Sequence, residues 1–196
     1  MAADDDLRRP APTDLLAPIV PVLVLLGLMW GTEIVDVPLS GDLDRFGIRP
    51  RRIDGLDGVV LAPLLHDGFG HLVTNTLPFL VLGGIIVAGS ATRFVHVTVV
   101  VWLISGLGTW LTGPERSIHV GASGLVFGYL AYLVSRGFFA RRVGYLLIGA
   151  LVFLLYGSAL WGLLPRPGIS WQGHLFGAVG GVLAAWLVHA ERSEDR

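Results

Sequence analysis

The sequence predicts an all-α polytopic membrane protein in which six helices cross the bilayer. Three observations carry that expectation. Hydrophobic residues make up 53% of the 196 positions and charged residues only 15%, with a mean hydropathy of +0.69, too apolar for a water-soluble domain of this length. Apolar stretches recur at 15–31, 71–89, 94–112, 120–135, 143–164 and 171–190. Most of these approach the ~20 residues that a helix needs to cross the hydrocarbon core.

The first stretch follows MAADDDLRRPAPTD, an acidic, proline-containing leader with neither a basic n-region nor a small-residue cleavage site at its end, so it reads as a retained anchor behind a leader at 1–14. A long loop at 36–67 comes next, and its FGIRPRRIDGLDG segment reads as a folded interfacial piece and not a short connector. The second and third spans are joined by a tight connection. The fourth, at 120–135, is short: about 16 residues rise ~24 Å against a core of ~30 Å, which predicts a start sunk below the membrane surface. The fifth and sixth spans complete one membrane domain over 15–190, followed by a tail at 191–196.

Orientation follows from the arginines, which supply every basic residue apart from histidine. With the N-terminus cytoplasmic, Arg8, Arg9, Arg93, Arg136, Arg141, Arg142, Arg192 and Arg196 lie inside, and Arg45, Arg49, Arg51, Arg52, Arg116 and Arg166 outside. That excess favours the cytoplasmic N-terminus in a cell membrane. It also puts Trp30, Trp110, Trp161 and Trp171 at the outer ends of spans, as an aromatic belt requires. The absence of cysteine excludes disulfides, thiolate metal sites and cysteine nucleophiles. No nucleic-acid partner, metal or cofactor is expected; the bilayer is the one certain partner of such a chain.

Polar groups within spans are costly unless paired or wetted, so they mark candidate function. Four stand out: His71 and Asn75 in HLVTN, Ser123 in GASG, and His174 in QGHLFG. The second, fourth and sixth helices all begin on the outer side, and each of the four residues lies near one of those beginnings. His71 and Asn75 are four apart and share a helix face. A helix start leaves N–H groups unpaired and favours negative charge, so Ser123 sits where an oxyanion could be held. Gly124 and Gly128, and Gly173, Gly177 and Gly181, form small-residue faces that let helices approach closely and bring His174 within reach of Ser123. Between residues 68 and 190 the only carboxylate is Glu115, and none is expected inside a span. A Ser-His-Asp triad, an HExxH metalloprotease and carboxylate-based transport all lose ground, which leaves a Ser-His dyad.

The motifs HDGFGHLVTN, GASG and GHLFGAVGG, in that order on the second, fourth and sixth spans, resemble those of the rhomboid intramembrane serine proteases, whose basic bacterial form is a six-helix bundle. The resemblance implies a rhomboid-like bundle with Ser123 as nucleophile and His174 as its general base. His71, Asn75 and the Ser123 backbone N–H would be the oxyanion donors. It implies supporting roles for Gly121, Gly124, Gly173 and Gly177, and for Phe127, which stands where the family often has a tyrosine packed on the catalytic histidine. His66 resembles a further, structural histidine of that region. The family's Trp-Arg pair in the first loop is not apparent. The implied substrates are transmembrane segments of membrane proteins, cut near the outer face where small and helix-breaking residues let them unwind. Water would reach the dyad from outside, through a cavity beneath the fifth loop at 164–170, whose PRPG favours irregular backbone. His96, His119 and His189 lie near span ends and read as interfacial. The competing expectations are a catalytically inactive rhomboid-like protein that binds membrane clients, and a small transporter or a metal site built from His66, His71 and His174.

Overall fold

A computed structural model describes residues 17–190; the leader at 1–14 and the tail at 191–196 lie outside the described residues. The chain forms helices α1 (Val20–Asp36), α2 (Gly68–Gly89), α3 (Ala91–Thr112), α4 (Ser123–Ala140), α5 (Val143–Tyr156) and α6 (Trp171–Ala190), and no strand among the described residues. Six helical segments are long and apolar enough to cross a membrane, the fifth by continuing from α5 through 3₁₀ turns at Gly157–Leu163. The protein is therefore an all-α, multi-pass membrane bundle.

Its centre is α4, which buries Leu125, Tyr129, Tyr132 and Leu133. Tyr129 packs against the Phe79 and Phe94 rings and shares a 2.8 Å hydrogen bond with Thr98, so a buried phenol is satisfied between helices. Glycine faces seat α6 on α4. A methyl group at Gly181 would overlap the Gly128 carbonyl, and one at Gly128 would lie 2.9 Å from the Gly177 oxygen. Lipid offers apolar side chains no hydrophobic gain on association, so such close backbone packing is what holds membrane helices together. By contrast α5 lies at the edge, burying little besides Gly149 and Val152 and exposing Leu147, Leu151, Leu154 and Leu155.

Between α1 and α2 the chain makes a series of short helical turns that are fastened to α3 and to the segment before α4. The Arg51 N–H donates to the Trp110 carbonyl, and its guanidinium donates to the carbonyls of Leu111 and Gly113, acceptors that the end of α3 leaves without helical partners. Trp110 and Trp102 return hydrogen bonds to the Arg52 and Val59 carbonyls, at 2.8 and 2.9 Å. Ile48 and His119 exchange both backbone hydrogen bonds in an isolated bridge. The remaining arginines form exposed pairs, Arg45 with Asp42 and both Arg49 and Arg52 with Asp54.

Two expectations are corrected. The fourth span begins at Ser123 and runs to Ala140, not 120–135. Residues 119–121 are kept out of the helix by the Ile48 bridge and a left-handed Gly121, while the helix runs on through Arg136, whose buried guanidinium lies over the Tyr145 ring. The first span also runs on to Asp36, carrying the buried carboxylates Glu33 and Asp36 into a helix where none was expected. They sit near Asp44 and Asp67, beside the loop at 36–67. The Asp36 carboxylate accepts the Leu43 N–H at 2.8 Å.

Candidate active site

Ser123 is the first residue of α4, so its backbone N–H has no intrahelical acceptor. The chain reaches it through Gly121 at φ +111°, a conformation closed to most side chains. The Gly121 N–H bonds the Ala62 carbonyl at 2.8 Å, and a methyl at 121 would fall 2.5 Å from the His71 ring. Behind it the Ala122 N–H donates to His66 Nε2 at 3.3 Å. His66 is 1% exposed, and burial together with the neighbouring His71 pushes its pKa down to about 4. It is therefore a neutral acceptor that anchors backbone, and its ring meets His71 edge-on at 5.2 Å.

His174, in the first turn of α6, faces the serine. Its Nε2 lies 2.8 Å from Ser123 Oγ, and its Nδ1 lies 2.8 Å from the Gly162 carbonyl oxygen. A carbonyl can only accept, so Nδ1 carries the proton and Nε2 presents a lone pair to the serine hydroxyl. Phe127 stacks on the imidazole at 4.2 Å and 5°. The ring is thus fixed by an aromatic face and a backbone carbonyl, with no carboxylate beside it. Phe127 was legible as a packing partner. Gly162 was not, because a carbonyl belongs to every residue and only the 3₁₀ stretch after α5 aims this one.

The glycines set the approach. At Gly124 a methyl group would lie 3.2 Å from Ser105 Cβ and 3.3 Å from the Gly173 oxygen, and at Gly177 it would overlap the Gly124 carbonyl. The Gly173 carbonyl in turn accepts from Ser105 at 2.8 Å.

A cavity of about 740 Å³ opens on the serine, lined by His71, Asn75, Ser123, His174 and the fifth loop, among others. Asn75 is buried and one amide hydrogen donates to the His71 carbonyl at 3.0 Å, leaving its second hydrogen for a ligand. All four expected polar residues thus border one cavity. His119 and His189 depart from the interfacial reading. His189 is 6% exposed and bonds the Tyr132 hydroxyl at 3.0 Å, and His119 is half-buried at the cavity wall, where burial lowers its pKa. Among the described residues no three His, Asp or Glu side chains are grouped so as to hold a metal ion.

Comparison with known proteins finds a family and several similar chains. A family model described as the Rhomboid domain matches residues 55–191. The chain is 44% identical over 184 residues to an uncharacterized protein of Mycobacterium tuberculosis, covering 89% of this chain and 77% of that one. It is 42% identical over 186 residues to an uncharacterized protein of Mycobacterium leprae, covering 90% and 74%. A Bacillus subtilis protein named "Putative rhomboid protease YdcA" is 33% identical over 127 residues, 63% of each chain.

Proposed function

This chain belongs to the rhomboid family, and on that premise we propose that it is an intramembrane serine endopeptidase working through a Ser123–His174 dyad. The observation that carries the reading is the 2.8 Å contact from Ser123 Oγ to an unprotonated His174 Nε2 whose opposite nitrogen is tied to a carbonyl.

In the proposed reaction Nε2 takes the hydroxyl proton as Ser123 Oγ bonds to the carbonyl carbon of a peptide in the cavity. The oxyanion is held by the free Asn75 amide hydrogen, His71 and the Ser123 N–H. The imidazolium then gives its proton to the leaving amine nitrogen as the C–N bond breaks. Water, deprotonated by His174, hydrolyses the remaining ester and restores the serine. The Gly162 carbonyl and the Phe127 face take the orienting part that an aspartate takes in a triad. None of these steps calls for a metal or a cofactor.

The substrates are transmembrane segments that unwind near the mouth of the cavity, since a peptide bond inside an intact helix is shielded from attack. The mouth faces the outer side of a cell membrane, with the N-terminus cytoplasmic, as the arginine distribution favours. Labelling by a fluorophosphonate tests the dyad. Wild type should label, and Ser123→Ala and His174→Ala should not. A well-folded wild type that stays unlabelled in lipid would remove the protease reading and leave that of an inactive client-binding relative.

A further inference from the structure

The segment that delivers His174 is weakly tied. Residues 165–170 contain Pro165, Pro167 and a left-handed Gly168, and form no regular helix before α6 begins at Trp171. Ser170 is the N-cap of α6, since its carbonyl accepts the His174 N–H at 3.2 Å. A serine there ordinarily turns its hydroxyl onto an amide of its own helix. Here the hydroxyl lies 2.7 Å from Nδ1 of His119 instead. Among the described residues, and apart from the bond into α6 itself, this is the one hydrogen bond that ties 165–170 to another segment.

His119 is itself held from three directions. Its backbone exchanges both hydrogen bonds with Ile48, in the loop fastened to α3. Its Nε2 lies 2.8 Å from the Ser117 hydroxyl, which lies 2.6 Å from the Pro114 carbonyl. That carbonyl can only accept, so the Ser117 proton is committed to it and the hydroxyl must accept from Nε2–H. Nδ1 is then the acceptor, and Ser170 O–H the donor. The order of protons along the chain is determined from Pro114 to Ser170.

We propose that His119 is a positioning residue, holding the cap of α6, and with it the His174 ring, at hydrogen-bonding distance from Ser123; the proposal rests on the protease reading above. Backbone hydrogen bonds carry the path from α3 through the first loop to His119 and from Ser170 to His174, and the 2.7 Å side-chain bond between His119 and Ser170 joins the two. His119 lies only four residues before Ser123, so one segment sets the position of both dyad members.

The test uses the full chain in lipid, as wild type, Ser170→Ala, His119→Phe, the double variant and Ser170→Thr. Amide hydrogen exchange over 165–174 should quicken about 3- to 10-fold in both single variants, the effect of one net hydrogen bond. The rate at which a fluorophosphonate inactivates Ser123 should fall by a similar factor, no further in the double variant, with KM for a transmembrane substrate unchanged. Ser170→Thr should restore both readouts. Ser170→Ala, the smallest change, keeps the test informative if the Phe variant unfolds. Labelling of Ser170→Ala at the wild-type rate, or effects that multiply in the double variant, would overturn the proposal. A wild type that never labels, while exchange responds as described, defeats the protease reading and this role with it.

Discussion

Replacing Gly177 by alanine tests whether backbone approach between α4 and α6 sets the dyad. The added methyl group would overlap the Gly124 carbonyl oxygen and stand 2.9 Å from its carbon, where ordinary contact begins at 3.4 Å. Both obstacles are backbone atoms one residue from Ser123, so no rotamer change relieves them. The helices must part by at least about 0.5 Å to clear the carbon and by more to clear the oxygen, stretching the 2.8 Å contact between Ser123 and His174 beyond good hydrogen-bond length. Overpacking of this kind costs ~1–3 kcal/mol of stability. A displacement of ~1 Å at reacting groups costs ~10²-fold in rate. The assay is the second-order rate of fluorophosphonate labelling in lipid, paired with thermal unfolding. Gly84→Ala is the control, a helical glycine with nothing within 4 Å of the new methyl group. Expected is a loss approaching 10²-fold for Gly177→Ala, with a lowered Tm, and neither change for the control. Labelling of Gly177→Ala at the wild-type rate would refute the claim that this contact sets the dyad distance.

Asn75→Ala removes one oxyanion donor and should lower kcat by ~10²–10³ with little change in KM, measured on a transmembrane peptide substrate. Loss of KM alone would move Asn75 to a binding role. Phe127→Ala should slow labelling while Phe127→Tyr keeps it, because the ring face stacked at 4.2 Å is what orients His174; equal rates in the two would show the stack to be idle. Asp44 has its pKa raised to about 6, by burial first and then by Asp36, Asp67 and Glu33. With a folded pKa above the ordinary carboxylate value of about 4, its contribution is fully present below that value and fades as pH rises through about 6. Asp44→Asn should therefore raise Tm by about 3 °C at pH 8 and leave it unchanged at pH 4, and the opposite order would contradict the buried-carboxyl account. Activity should survive EDTA; sensitivity restored by zinc would revive a metal site at His66, His71 and His174.

The membrane class, the six spans and the four polar residues of the cavity were open to reading from one dimension. Hydropathy over ~20 residues is a local property, and alternating helix direction then places the starts of the even helices on one side. His71 and Asn75 share a face through helical periodicity, and the glycine spacing in α4 and α6 announces close approach. Boundaries were less legible. Glu33 and Asp36 look like loop residues by charge, yet α1 continues through them with both side chains buried and the Asp36 carboxylate accepting the Leu43 N–H of the neighbouring loop. The start of α4 moved to Ser123 because residues far away in sequence, Ile48 and His71, decide the backbone at 119–121. The carbonyl partner of His174 and the tie at its helix cap were out of reach for the same reason. A Gly162 carbonyl and a Ser117–His119–Ser170 chain have no signature in residue type or spacing. Composition and periodicity determined which helices form and which faces are polar. Only the packing of separate segments decided where carbonyls and hydroxyls point, because hydrogen-bond direction is a property of three-dimensional placement.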